Sequence, residues 1–419
     1  MKPVYGIVSD DFTGGLLVAS YFEQAGLECP VYFDPITAVA EPPAAPIAVI
    51  AGRMRLAPVA EARSELTAAL DALDALGCDC VAYKACATFD STPEGNIGPA
   101  AEMLSARYDQ KPLLISAGFP EFGTTVFQGH MFVRDTPVNE SHKRFDPVTP
   151  MPDPNLARFL SLQTETPVGL IPHDVLIKGP AAAQLALTDR LAAGFRHVLL
   201  DTADKGDIDT STTLVQQSRA FVASDPLVVS HGLARCAALT GTAPPTCHAE
   251  GPLAVLVGSV GPVAEAQLAA FAAQHPVHHI DLLDPDSTAA QIDAALTFAA
   301  LHLGTRPFAI TTQTDADGVA AAQAQLGRIG AARKAEHMLA EIARRLHAAG
   351  ARRFIVVGGE TSGAVVGALG ITRMRSMPRG PLGGGFCVAE GPDPVSFFLK
   401  SGKLGVTDVL VRAIDAMRN

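Results

Sequence analysis

Two adjacent carboxylates, Asp10 and Asp11, close a short apolar run in IVSDDFTGG (residues 7–15) and are followed by Thr13 and two glycines opening an apolar helix. A helix start needs one acceptor as its cap, and Asp11 can serve as that. A second carboxylate at a strand's carboxyl end exceeds this need, and carboxylates placed there bind hydroxyls or take a proton from an attacking alcohol. Near the other end of the chain stands IVVGGETSGAVVGALG (residues 355–370), an apolar run, a glycine pair, Glu-Thr-Ser and a second apolar helix. Both segments read as strand–turn–helix, the junction where open parallel sheets hold ligands. The first offers acceptors for hydroxyls and the second offers backbone donors for phosphate. Their combination points to phosphoryl transfer to a small polyol or sugar acid.

Other segments could contribute. In YKACATFDSTPEGNIG (residues 83–98), Lys84 follows a strand directly, Asp90-Ser91-Thr92 form a polar group, and Gly95-Asn96-Ile97-Gly98 open a helix. Glycines at a helix start let amides approach an anion, although an ordinary loop with a capping Asn has the same local pattern. Residues 119–133 (FPEFGTTVFQGHMFV) place Gln128 and His130 in an irregular stretch, where a histidine more often satisfies structure than catalyses. No GxxxxGK[ST] occurs, so Gly358–Gly363 is not a Walker loop. It has company, however: Gly258-Ser259 ends a predicted strand, and FFLKSGKLG (residues 397–405) sets Lys400 and Ser401 beside Gly402 and Gly405. Three such turns converge on a nucleotide if the sheet order makes their strands neighbours.

The elements that must position these groups alternate strand and helix almost throughout. Predicted strands are Val4–Val8, Ile47–Ala51, Cys80–Tyr83, Leu113–Ser116, Pro167–Ile171, His197–Asp201 and Leu227–Ser230, then Leu253–Val257, Val277–Ile280, Pro307–Thr311 and Phe354–Val357. Helical periodicity fills Val59–Leu76, Ala181–Ala193 and Arg328–Ala349 among others. Such alternation predicts an α/β protein with largely parallel sheets. At 419 residues two domains are expected: 1–240, a Thr/Pro/Gly-rich linker at 241–252, and 253–419. Residues 117–160 are Pro-, Asp- and Thr-rich and too long for a simple connection.

Composition limits the partners. The net charge of −11 with scattered cations argues against nucleic acid or an anionic membrane, and no apolar run reaches spanning length. Seven cysteines with no CxxC pair suit a reducing compartment and argue against zinc. With no apolar leader after Met1, a cytoplasmic location is expected.

In order and spacing these segments resemble the four-carbon acid sugar kinases from end to end. The motifs that carry the resemblance are DDFTG, K-x-C-x-T-F-D-S-x-x-G-N-I-G, FP-x-x-G, GGETS-G-A-V-x-x-L-G and the late KSG. YKACATFDS, VFQGHMFV and the stretch from Pro150 to Arg158 look most like the 3-oxo-tetronate 4-kinase branch. The resemblance implies an N-terminal domain for the sugar acid and a C-terminal domain for ATP, with ligand sites at strand carboxyl ends facing an interdomain cleft. It implies ATP contacts at Ser259, Gly359, Glu360, Thr361, Ser362 and Gly402, and catalytic duty for Asp10 and Asp11, one of them a candidate base. Arg53, Lys84, Asp90 and the Gly95, Asn96, Ile97, Gly98 turn are candidates for the substrate. ATP and Mg²⁺ are the implied cofactors; the metal ligands are not identified, and a homodimer is compatible. The implied reaction is phosphorylation of O4 of 3-oxo-tetronate, with D-threonate or D-erythronate as alternative acceptors and a catalytically silent binding homologue as the other alternative. The chain departs from the family's pattern at Ala87, Thr124, His142-Lys143-Arg144, residues 378–386, and Lys403-Leu404.

Overall fold

Short β-branched and apolar runs that are buried along their whole length dictate strands covered on both faces, and the computed structural model has such strands in both halves of the chain. It describes residues 2–146, 149–245, 248–284, 287–312, 314–402 and 405–418. The chain divides into two units, Met1–Ala243 and Pro244–Asn419.

In the first unit the strands are β1 (Tyr5–Ser9), β2 (Pro30–Tyr32), β3 (Ile47–Ala51), β4 (Cys80–Lys84), β5 (Leu113–Ser116), β6 (Thr124–Phe127), β7 (His130–Val133), β8 (Thr136–Pro137), β9 (Val168–Ile171), β10 (His197–Leu200) and β11 (Ala220–Ala223). Eight of them form a parallel array in the order β2-β3-β1-β4-β11-β5-β10-β9. β6, β7 and β8 make a small antiparallel sheet within the stretch read as irregular. Helices Phe12–Gln24, Val59–Leu76 and Ile97–Tyr108 follow β1, β3 and β4 and supply the covering layers.

The predicted strand Leu227–Ser230 is a helix instead. It lies inside Asp225–Arg235, and the strand of this region is β11, a few residues earlier. The run is β-branched, but Ser224, Asp225 and Pro226 stand at the helix start, where Pro's fixed φ and missing N–H are favourable.

The second unit contains β12 (Leu253–Val257), β13 (Val277–His279), β14 (Ala309–Thr311), β15 (Arg353–Val357), β16 (Arg373–Ser376), β17 (Phe386–Ala389) and β18 (Val395–Lys400). Its order is β13-β14-β12-β15-β18-β17-β16, parallel through β18 and antiparallel beyond. Arg328–Ala348 is one 21-residue helix, as its periodicity predicts, and buries Met338, Leu339 and Ile342. No described helix is long and apolar enough to cross a membrane.

Candidate functional site

The parallel register brings the carboxyl ends of β3, β1, β4 and β11 level: Ser9 pairs with Ala51 and Lys84, and Lys84 pairs with Ala223. Whatever follows these four strands must meet. Asp10 follows β1, Arg53 and Arg55 follow β3, Lys84 ends β4, and Asp225 follows β11. Asp10 is buried, and Arg55 grips it in a two-pronged contact, Nε to Oδ2 and Nη2 to Oδ1, both 2.9 Å. The Cys86 amide adds a bond of 3.1 Å to the same carboxylate. Nη2 of Arg55 also stands 2.9 Å from Asp11 Oδ1, so one guanidinium bridges both acids.

Asp11 caps the helix Phe12–Gln24, accepting from the Gly14 amide and the Thr13 hydroxyl at 2.8 Å each. Burial alone would raise its pKa, but Arg55, Lys84, Thr13 and Gly14 outweigh burial and hold the carboxyl below its ordinary range. The cap duty expected of Asp11 is therefore real, and the second acid is paired with a cation. Asp11 exposes 14% of its side chain against 3% for Asp10, so Asp11 is the acid open to a ligand.

The Lys84 ammonium is buried between Asp225 Oδ2 at 3.6 Å and Asp10 Oδ1 at 4.0 Å. Burial pushes its pKa down, yet Asp225, Asp10 and Asp11 win and carry it up to about 12, so it stays charged. Asp225 Oδ1 is buried without a hydrogen-bond partner among the described residues. Burial raises the Asp225 carboxyl despite Lys84. Neither Arg55 nor Asp225 was singled out from the sequence.

The remaining first-unit candidates stand as follows. Arg53 is exposed, and its amide donates to Glu65 at 2.9 Å. Asp90 accepts from the Thr88 hydroxyl at 2.7 Å and pairs with the buried Lys143, one of the residues that depart from the family's pattern. Just before it, Phe89 holds a φ of 54° while fully buried, a conformation rare for a bulky residue and frequent near ligand sites. The Gly95–Gly98 turn is filled from inside: Gln163 Oε1 takes the Gly98 amide at 2.9 Å, and Gln163 Nε2 donates to Ser91 Oγ at 2.8 Å. Asn96 donates to the Ala57 carbonyl at 2.9 Å, and Ile97 is buried. His130 lies in the β6–β7 hairpin with Nδ1 2.8 Å from the Gln128 carbonyl. Elsewhere His173, Asp204 and Asp207 have ligand atoms within 4.8 Å of one another. Asp207 already accepts from the Ala203 amide at 2.8 Å and lies 3.0 Å from His173, and Asp204 caps the Asp207 amide. That group explains itself as a helix-start network.

In the second unit β12, β15 and β18 are neighbours, so the three glycine and serine turns stand side by side. Gly358 donates its amide to the Lys400 carbonyl at 2.9 Å, and the Ser259 amide reaches the Val357 carbonyl at 3.1 Å. Gly359, Glu360, Thr361 and Ser362 form the first turn of the helix Gly359–Ala368, and the Ser362 amide donates to the Gly358 carbonyl at 2.9 Å. Ser362 Oγ is turned back on the Gly358 carbonyl at 2.7 Å. Gly402 packs so tightly on Ser259 that an added Cβ would overlap Oγ, which is the physical reason for glycine there. Lys403 and Leu404 lie outside the described residues.

The geometry agrees with the likeness to known proteins. Residues 5–235 match the family described as the sugar-binding N-terminal domain, and residues 254–410 match the nucleotide-binding C-terminal domain. The chain is 35% identical to the 3-oxo-tetronate kinase of Cupriavidus necator, covering 99% of this chain and 97% of that protein. It is also 35% identical to that of Methylobacterium radiotolerans over the full length of both. A solved structure from Salmonella typhimurium LT2 superposes with a TM-score of 0.81 at 32% identity, covering 98% of each chain. Matches that run the whole length and through both domain descriptions leave one conclusion: the chain belongs to the four-carbon acid sugar kinase family, on the side of the 3-oxo-tetronate kinases.

Proposed function

We propose that this protein is an ATP-dependent kinase that phosphorylates the terminal O4 hydroxyl of a four-carbon sugar acid, 3-oxo-tetronate. The observation that carries the reading is the charge pattern in the first unit: Asp11, the more exposed of the two acids, is paired with Arg55 and lies in the field of the charged Lys84, in a domain of sugar-binding type. A hydroxyl donor fits Asp11, and an anionic acid fits the positive charge of Lys84 and Arg53, with Asp90 and the Gly95–Gly98 turn flanking them. In the second unit the helix start at Gly359–Ser362, with Ser259 and Gly402 opposite, suits the phosphates of ATP.

The reaction moves the γ-phosphoryl group: a bond forms between O4 and the γ-phosphorus, the bond to the β-phosphate oxygen breaks, ADP leaves, and the O4 proton is released. Transition states of this kind are loose, so the protein's task is placement and charge more than proton abstraction. Mg²⁺ on the nucleotide would neutralise charge on the phosphates. The three turns contain one carboxylate, Glu360, which suits an ion held chiefly by phosphate oxygen and water.

ADP release should be assayed by enzyme coupling with 3-oxo-tetronate, D-threonate and D-erythronate, and the product examined by phosphorus NMR. A kcat/KM that favours 3-oxo-tetronate at least tenfold, with phosphate on C4, is expected. Preference for threonate or erythronate would reassign the acceptor. Nucleotide binding without ADP release from any acid would make the protein a silent homologue.

A further inference from the structure

Lys400, the last residue of β18, touches two of the three turns of the second unit and the helix behind the third. Its carbonyl accepts the Gly358 amide, and its Nζ donates to Gln267 Oε1 at 2.8 Å and to the Ser401 carbonyl at 2.6 Å. Gln267 is buried on the helix Pro262–Ala272, which follows the Ser259 turn. Its Nε2 donates to the carbonyls of Gly405 and Val406 at 3.1 Å each. One amine and one amide therefore clamp both ends of the 401–406 turn and tie it to the element behind Ser259.

A glutamine alone could hold such a turn. A buried cation surrounded by neutral oxygens is costly, and proteins seldom keep one without a counter-ion. Among the described residues of its unit Lys400 has none, and burial pushes its pKa down to about 8. Glu265 on the helix behind is exposed. Neither it, nor Glu360 at the neighbouring helix start, nor Cys387 on β17, nor Asp408, Arg412 and Asp415 on and before the last helix, contributes to that shift. Lys403 lies outside the described residues.

We infer that Lys400 is a positioning residue for the nucleotide phosphates, holding the Gly402 turn against Ser259 and lending it a positive charge that only a bound polyphosphate neutralises. This rests on the nucleotide assignment above. It goes further in giving the site a proton linkage. An anion beside the turn favours the ammonium over the amine, so binding near pH 8 takes up a fraction of a proton. Affinity is full below that pH and falls above it as the amine loses its charge.

The probe is MgADP, titrated calorimetrically into the full-length protein between pH 7 and 9.5, with two buffers of different ionisation enthalpy at pH 8 to count protons. Wild type should show proton uptake at pH 8 and a dissociation constant that weakens on the order of tenfold across the range. Lys400→Arg should bind with a pH-flat constant, and Lys400→Met should bind weakly at every pH with no uptake. A flat wild-type profile without proton uptake overturns the inference, as does a slope that survives in Lys400→Met. If either variant fails to fold, the wild-type proton count alone decides. MgADP bound with pH-independent affinity sinks only this inference, whereas no binding at any pH sinks the nucleotide reading as well.

Discussion

Replacing Arg55 by Met removes the guanidinium that bridges Asp10 and Asp11 while keeping its apolar stem. Three charged contacts of 2.9 Å disappear together. Asp10 keeps the Cys86 amide and a distant Lys84, and Asp11 keeps Thr13 and Gly14. Removing one partner of a buried ion pair costs about 3–5 kcal/mol, because the other charge is left buried and uncompensated. Arg55 is 19% exposed and Asp11 14%, so water reaches the pair and the lower end, about 3 kcal/mol, is expected. For a unit of this size that is roughly 6–12 °C in Tm. The pH dependence separates this cause from lost packing. The folded pKa of Asp11 lies below the unfolded one, so its stabilisation is present above about pH 4 and is lost as pH falls through the folded value. Without Arg55 the largest of the influences that lower it goes, and most of that stabilisation with it. The deficit of the variant should therefore hold from pH 7 down to about pH 4 and shrink only as pH falls further through the folded value, read by thermal unfolding from pH 7 to below 4. Arg55→Lys should recover only part of it, since an ammonium cannot fork across a carboxylate. A deficit under about 2 °C at pH 7, or one that already shrinks between pH 7 and 5, would refute the reasoning.

Two glycines and one acid give further tests. Gly14→Ala improves helix propensity by up to about 1 kcal/mol, but the new Cβ overlaps Lys84 Nζ and Asp11 Oδ1. Its kcat/KM for the sugar acid should fall on the order of tenfold or more while MgADP affinity holds; unchanged kinetics would remove Lys84 from the site. Gly402→Ala overlaps Ser259 and should raise the KM for ATP on the order of tenfold, with recovery in the double variant Ser259→Gly/Gly402→Ala. Absence of that recovery would show that the close approach does not shape the pocket. Asp11→Asn keeps the cap geometry but removes the charge, so kcat should drop on the order of a hundredfold with nucleotide affinity intact; full activity would clear Asp11 of any role.

The sequence made most strands of the two parallel arrays legible where burial on two faces demanded a continuous apolar run, though β2 and β18, buried along their whole length, were not predicted as strands, and it made the glycine turns legible because so few residue types tolerate them. What it hid follows from one ambiguity. The run Leu227–Ser230 is as β-like as any true strand, and reading it as one displaced β11 by several residues. With β11 at Ala220–Ala223, Asp225 falls just beyond the end of the strand beside β4, opposite Lys84, and becomes a candidate at once. Arg55 was hidden differently. It stands two residues after Arg53 in the same connection, and only the path of the chain after β3 decides which of the two turns inward. Gln163 was invisible for a third reason: it enters the Gly95–Gly98 turn across 65 residues, a contact no local pattern encodes.

The paired aspartates also divide their work in a way their adjacency conceals. Both Asp10 oxygens are bound by Arg55, one of them also by the Cys86 amide, and that carboxylate is almost closed to solvent. It fixes the arginine more than it meets a substrate. Among the described residues Asp11 Oδ2 accepts from the Thr13 hydroxyl alone and retains room for another donor. Yet the same cations that hold Asp11 in place make it a weak proton acceptor, because a depressed pKa lowers the driving force for taking a proton at neutral pH. An acid built in this way suits the orientation of a hydroxyl that loses its proton late. That is the demand a loose phosphoryl transfer makes, and it argues that the site's rate comes from holding the acceptor still beside fixed positive charge.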